Sequence, residues 1–516
     1  MPPLSILSVL ALGAAAVPAV RLLARPAIRR ELSSRPIAAA MLALAAGGVV
    51  VALLQLGRRG SPALLACAAA AGALALAASA RARPGFGRSR GLPPGSLGLA
   101  ASLDAIEAPR FYADAARRWG PVFKMAQFHR PVACIVDLPR GLALLDAERE
   151  SLAQPPLPFG GLSPGGYIEF MDGAQHARYR GILQSALGGR VIAACRADVE
   201  ALVLQELVAM SRQGGPVDPQ PFLERIAFGS LARVMYGLPA GDARVGELAR
   251  LFADLGAARA FAERRPDHHR AVFARITGFL RSLGSDLAAR GAAAAADPPS
   301  VLGEIVRADP ALVDDETLIA NLALVVHVTR NNVRGLLAWV LKEHCDHPGW
   351  AASHPRVGVD ALATSFVNET LRRHQAEYFY REVVREIRLG PYRIPKGWLV
   401  RVCVRECHDD PAVFPDPTTF DPGRFIGRTF ARTEYCPFGE GLHACFGAGL
   451  AVMIARAFAL AVAVRCEARA SADGRPERAG NRHWSHWQPS ARLRVEVRVR
   501  GDRELDGPGS LQHALP

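Results

Sequence analysis

The chain has 516 residues, half of them hydrophobic, a formal net charge of +14 and a pI near 9.9. That apolar share supports a sizeable core, and nine cysteines scattered without a paired framework exclude a secreted disulfide scaffold in favour of free thiols in a reducing compartment. Much of the arginine excess lies beside apolar N-terminal runs, where lipid headgroups explain it. No basic ribbon interleaved with aromatics is present, so no nucleic-acid partner is expected.

Three apolar runs open the chain, at Leu4–Ala24, Ile37–Gly57 and Ala63–Ala80. Each approaches the ~20 residues that cross a bilayer as a helix. Arg25, Arg29, Arg30 and Arg35 follow the first run, only Arg58 and Arg59 follow the second, and Arg81, Arg83, Arg88 and Arg90 follow the third. Basic loops stay cytoplasmic, which predicts an outside N-terminus, a multi-pass membrane anchor over 1–83 in contact with lipid, and a cytoplasmic catalytic region. The Gly/Pro/Arg stretch over 84–94 reads as a linker, 95–500 as the catalytic domain and the polar segment 501–516 as a frayed tail.

The domain reads as mostly α with small β-sheets. Phe111–Trp119 predicts a helix, followed by a turn at Gly120-Pro121 and a strand-like VFKM. Helical periodicity continues over Ala193–Ser211, Pro221–Tyr236, Arg244–Ala262 and His269–Arg290, and Gly291–Ser300 reads as a loop. A long helix follows, capped by Asp314 with Thr317–His344 as its body. Val384–Val402 turns β-like, with turns at Gly390-Pro391 and Lys396-Gly397. No internal repeat occurs.

Chemistry concentrates towards the C-terminus. Glu369-x-x-Arg372 places two opposite charges on one helix face. FDPGRF brings Arg424 some fifty residues later. Then comes Phe438-x-x-Gly441-x-His443-x-Cys445-x-Gly447, a glycine-framed loop that runs into an apolar helix from Ala448. Glycine lets the loop turn tightly and approach a flat ligand. A thiolate held just before a helix N-terminus is stabilised by amide dipoles and suits axial ligation of haem iron. Upstream, His176-x-x-x-Arg180 and Arg381 supply further cations.

Taken together, these motifs resemble the cytochrome P-450 superfamily from about Leu92 to Val499. The resemblance implies the P-450 fold, preceded here by three transmembrane helices, and haem b (iron protoporphyrin IX) as cofactor. It implies Cys445 as the iron ligand, with Phe438 and Gly447 framing it. His176, Arg180, Arg381 and His443 match positions that partner the haem propionates, and bacterial members often carry His at the position of His443. Glu369, Arg372 and Arg424 match the buried triad that holds the cysteine loop in place.

One segment departs from the family pattern. Aligned through Leu336-Leu337-Ala338-Trp339, the long helix places Val328 and Thr329 at the family's small residue and glycine. Asn331 and Asn332 then stand at its acid–alcohol pair. An amide cannot deliver a proton as a carboxylic acid does. The stretch RHQAEYFYR brings Glu377, Tyr378 and Tyr380 towards the substrate side, while His327 and Arg330 read either as a pocket base and an anion anchor or as ordinary helix-face polars. The favoured function is monooxygenation of a hydrophobic small molecule (a terpenoid, lipid or polyketide of secondary metabolism). Electrons would come from an external ferredoxin or flavoprotein reductase, with Asn331, Asn332 and Glu377 as the catalytic candidates. The alternatives are a non-oxygenative or peroxide-type reaction (isomerisation, cyclisation or dehydration) and a non-catalytic haem-binding partner subunit.

Overall fold

The computed structural model describes residues 91–98, 101–102, 104–105, 108–127, 130–155, 162–255, 266–291, 298–375, 379–471, 476–478 and 487–500. The three apolar N-terminal runs, the tail from 501, Glu377 and Tyr378 lie outside the described residues. The chain divides into two compact units, one of residues 1–134 and 388–399, the other of 135–387 and 400–516.

In the first unit, β1 (Gly95–Ser96) pairs in parallel with β2 (Val122–Gln127), which neighbours β3 (Arg130–Ile135). Helix α1 (Phe111–Trp119) precedes β2, as the sequence predicts, and ends at Gly120 with φ +92°. Lys124 Nζ donates to the Pro93 carbonyl at 2.8 Å, tying the start of the described chain to β2.

The second unit holds the chemistry. Its helices are α2 (Leu138–Ala147), α3 (Gly173–Ala186), α4 (Gly189–Ala194), α5 (Arg196–Ser211), α6 (Gln220–Tyr236), α7 (Ala243–Leu255), α8 (Pro266–Ala289) and α9 (Val301–Ala308). They are followed by α10 (Glu316–Asp346), α11 (Val359–Thr370), the single turn α12 (Val404–Cys407) and α13 (Ala448–Arg465). Strand β4 (Leu152–Ala153) pairs antiparallel with β5 (Phe379–Val383), which neighbours β8 (Leu399–Val402). Strands β6 (Ile387–Leu389) and β7 (Tyr392–Ile394), which fall almost wholly in the first unit, pair with each other, and in the second unit β10 (Pro476–Arg478) pairs with β11 (Trp487–Pro489). Strand β9 (Cys466–Ala470) pairs antiparallel with β12 (Val495–Val499).

One apolar core in this unit joins α5, α6, α10, α11 and α13 through residues such as Leu207, Ile226, Leu337, Phe366 and Phe458. Helix α13 is the one described helix long and apolar enough to cross a membrane, and half of that stretch is buried in this core. The predicted long helix runs one residue further N-terminal and two further C-terminal than its sequence signal. Its cap is Asp315, not Asp314: the Asp315 carboxylate accepts from the Leu318 amide at 3.0 Å, whereas Asp314 closes the preceding 3₁₀ turn. Asp315 also accepts from Tyr179 (3.2 Å) and Arg178 (2.9 Å), so one carboxylate caps α10 and binds α3 to it. The predicted Ala193–Ser211 helix is instead divided at Cys195 into α4 and α5.

Candidate functional site

The frame of the site starts on α11. Glu369 and Arg372 are fully buried and meet through two hydrogen bonds of 2.7 Å. The Arg424 Nε lies 3.6 Å from the Glu369 carboxylate, which also accepts from the Asp421 amide at 3.0 Å. Arg372 reaches on to the carbonyls of His408 (2.9 Å) and Pro417 (3.0 Å). His408 in turn accepts at Nε2 from the Cys436 amide at 3.1 Å. A chain of bonds therefore runs from α11 to the base of the cysteine loop; the Glu369–Arg372 pair within it is buried and hydrogen-bonded, while Arg424 Nε and His408 Nδ1 are buried without a hydrogen-bond partner.

The loop itself is built on glycine. Gly439 and Gly441 have φ of +82° and +70°, a region costly for other residues. A Cβ at Gly439 would stand 3.1 Å from the Phe379 ring. The Cys445 amide donates to the Phe438 carbonyl at 2.8 Å, closing the turn under the thiol. Cys445 is accessible, yet protein surrounds it closely enough for burial to push its thiol up. The Gly447 amide, hydrogen-bonded to the sulfur, and the Arg180 cation act against that rise.

A basic wall stands beside the thiol. His176 on α3 stacks on His443 with ring centroids 4.2 Å apart. Burial lowers both, and Arg381 and Arg180 push them down further, holding His443 at about 3. His443 Nδ1 is buried without a hydrogen-bond partner. Arg180 has its guanidinium 6.0 Å from the Phe446 ring centroid, and Arg381 donates to the neighbouring Tyr380 carbonyl at 2.7 Å. Burial lowers both arginines. Desolvated cations and an unsatisfied imidazole nitrogen around one thiol call for an anionic ligand. A haem with two propionates fits that donor set, with Cys445 placed to ligate its iron and Arg180, Arg381, His176 and His443 placed to receive its carboxylates.

Helix α10 divides its residues by face. Asn332 is exposed in the middle of an otherwise buried helix, and Val325 and Val328 share its face at helical spacing. Asn331 turns away, with its Oδ1 accepting from Arg334 at 3.3 Å. Arg334 and Arg330 both reach Glu224 of α6, at 3.4 and 3.5 Å. His327 lies on that same side with its ring stacked towards Phe252 of α7, and burial, reinforced by Arg330, holds it at about 3. His327 and Arg330 are therefore buried packing groups on the side of α6 and α7, not a pocket base and anion anchor.

Two residues without a motif complete the site. Glu169, on the 3₁₀ turn Ile168–Phe170, is accessible but so enclosed that burial pushes its carboxyl to about 7, against the pull of Arg381. Asn321 on α10 holds the backbone of that loop, accepting from the Ile168 amide at 2.7 Å and donating to the Gly166 carbonyl at 3.0 Å. The Asn321 bonds span some 150 residues and the Glu169 interaction with Arg381 spans still more, so no local spacing announces either residue.

The family model for cytochrome P-450 matches residues 361–488. Abscisic acid 8'-hydroxylase 3 of Oryza sativa subsp. indica is 27% identical over 412 residues, covering 71% of this chain and 80% of that protein. Ent-kaurenoic acid oxidase 1 of Hordeum vulgare is 26% identical over 416 residues, covering 71% and 83%. Retinoic acid-bound cyanobacterial CYP120A1 superposes with a TM-score of 0.64 at 20% identity, over 80% of this chain and 100% of that one. Residues 361–488 thus match the cytochrome P-450 family, the likenesses over most of the chain support that similarity, and the chain is a haem-thiolate oxidoreductase with haem b as its cofactor.

Proposed function

We propose that the chain is a membrane-anchored monooxygenase that inserts oxygen into a hydrophobic, terpenoid-like small molecule, with electrons supplied by a separate ferredoxin or flavoprotein. The observation that carries this reading is the accessible Cys445 thiol on its glycine-framed loop, with Arg180, Arg381 and the stacked His176 and His443 gathered beside it. Bound through that thiolate, haem supplies dioxygen activation. The protein's own residues would hold the propionates and keep the thiolate oriented by the Gly447 amide. The relatives whose names carry abscisic acid and ent-kaurenoic acid support an isoprenoid substrate class. The three apolar runs and their arginines support an N-terminal anchor with the catalytic region on the cytoplasmic side.

A second reading, peroxide-driven or non-oxygenative chemistry, is favoured by one feature. No carboxylate stands at Asn331 or Asn332, and Asn331 is engaged by Arg334. The test is a carbon monoxide difference spectrum of the dithionite-reduced protein. The thiolate-type Soret band is expected, and is expected to vanish in Cys445→Ala. Turnover of an isoprenoid substrate that continues without dioxygen would sink monooxygenation and select the second reading.

A further inference from the structure

His408 belongs to no sequence motif, yet it stands between the buried ion pair and the cysteine loop. It ends the single turn α12 and is fully buried. Its carbonyl accepts from Arg372 at 2.9 Å, and its ring Nε2 accepts from the Cys436 amide at 3.1 Å. The bonds continue into the loop. The Cys436 carbonyl accepts from the Gly439 amide at 3.3 Å, and the Phe438 carbonyl from the Cys445 amide at 2.8 Å. The imidazole lies between Tyr435 and Phe414, with ring centroids 5.1 and 6.1 Å away. Tyr435 is itself anchored by its hydroxyl to the Asn368 carbonyl of α11 at 2.9 Å.

A backbone amide can only donate, so Nε2 is the bare nitrogen of a neutral imidazole and the proton sits on Nδ1. Burial, reinforced by Arg372, also favours the uncharged ring and holds it at about 3. Nδ1 is buried without a hydrogen-bond partner. An unpaired buried N–H costs stability, and an apolar side chain would fill the space between the two aromatic rings without that cost. What the imidazole adds there is one acceptor aimed at Cys436.

We propose that His408 is a positioning residue for the thiolate of Cys445: its neutral ring, locked as the Nδ1-protonated tautomer, holds the Cys436 amide and so fixes the start of the turn that closes under the thiol. The inference rests on the haem-thiolate reading and deepens it. Without that acceptor the turn from Cys436 to Gly439 loses its tie to Arg372, and the sulfur loses its fixed direction towards the iron.

The experiment compares the haem-loaded full chain as wild type, His408→Gln, His408→Asn and His408→Leu. Glutamine carries an acceptor about as far out as Nε2, asparagine carries one no further than Nδ1, and leucine carries none. The dithionite-reduced carbon monoxide complex is followed over time at a urea concentration that leaves the far-UV circular dichroism of each protein unchanged, so unfolding does not contribute. His408→Leu and His408→Asn are expected to lose the thiolate-type Soret band to the neutral-thiol type at least about fivefold faster than the wild type, with His408→Gln within about twofold of it. A residue that only fills space would instead give equal rates in glutamine and asparagine. Wild-type rates in His408→Asn and His408→Leu, or His408→Gln as fast as His408→Asn, would each overturn the assignment. Should His408→Leu fail to fold, the difference between glutamine and asparagine decides. A thiolate-type wild-type band with equal rates in all variants defeats His408 alone, and absence of that band from the wild type defeats the haem-thiolate reading with it.

Discussion

Replacing Arg372 by leucine tests how the cysteine loop is held. The side chain is wholly buried and makes two bonds of 2.7 Å to Glu369, with further bonds to the carbonyls of His408 (2.9 Å), Pro417 (3.0 Å) and Thr419 (3.3 Å). Leucine would leave the Glu369 carboxyl with the Asp421 amide at 3.0 Å and Arg424 at 3.6 Å. Breaking a buried pair from one side costs ~3–5 kcal/mol. Each stranded carbonyl adds about 1 kcal/mol or more. The total of about 5 kcal/mol or more is a large part of the ~5–15 kcal/mol that folded proteins possess. Lysine should do little better, because one ammonium cannot span a carboxylate and several carbonyls as a guanidinium fork does. Urea unfolding followed by circular dichroism, together with the haem content of the purified protein, reads the effect. Both should fall sharply in Arg372→Leu and Arg372→Lys. The double variant Glu369→Leu/Arg372→Leu should regain part of the loss, since no charge then stays buried alone. A wild-type midpoint and haem content in Arg372→Leu would refute the reasoning.

Gly439→Ala combines a φ of +82° with a Cβ 3.1 Å from the Phe379 ring, so it should cost ~1–2 kcal/mol of strain plus the clash and lower haem retention. Gly427→Ala, with φ +66° and open space around its Cβ, should show the strain alone, and equal thermal midpoints for the two would rule out the Phe379 contact. Burial alone would raise Glu343, but hydrogen bonds from His347 and His374 outweigh it and hold the carboxyl at about 2. Its stabilisation is present above its ordinary value of 4.5 and is lost as pH falls towards 2, so Glu343→Gln should flatten the acid limb of the stability curve in that window. His347 is raised chiefly by its bond to Glu343, so its contribution is full below 6.5 and lost as pH rises through its folded value. Being partly exposed it is worth under ~1 kcal/mol, and His347→Gln should remove that alkaline loss in urea midpoints taken across pH. Asn332→Ala should alter the Soret response to ligands with little change in stability. Asn331→Ala should lower stability by about 1 kcal/mol through the loss of its bond to Arg334, with the ligand response kept; the opposite pattern would exchange the two faces.

The parts of the site that were legible in the sequence are those whose geometry is local. Glu369 and Arg372 are one helical turn apart, and Phe438 to Gly447 form one loop, so spacing alone predicts that they meet. Helix α10 was legible because its apolar period is long, but its cap was misplaced by one residue because Asp314 and Asp315 offer the same side chain. Only the fold shows that Asp315 also accepts from Tyr179 and Arg178. Glu169 and Asn321 were illegible for the opposite reason. Their significance lies in contacts that span some 150 residues or more, and a lone glutamate among apolar neighbours has the pattern of an exposed turn. His327 and Arg330 stayed ambiguous because a helix buried on several sides has no polar face to set its rotation. Glu224 and Phe252 set it.

The rotation of α10 has a chemical consequence. Turning Arg330 and Arg334 towards Glu224 uses the helix's mid-section charges in packing against α6 and leaves the half-buried Val328 and the exposed Asn332 on another face. A helix arranged this way can orient a ligand or a water through an amide, but it holds no exchangeable acidic proton on that face. The turn Ile168–Phe170, which carries Glu169, is tied to α10 instead by Asn321, whose amide bonds the backbone of Ile168 and Gly166. Loosening that turn with Asn321→Leu should therefore lower stability by about 1–3 kcal/mol in urea unfolding, since it strands the Ile168 amide and the Gly166 carbonyl. A wild-type urea midpoint in Asn321→Leu would mean that the turn is held by its own residues, independently of α10.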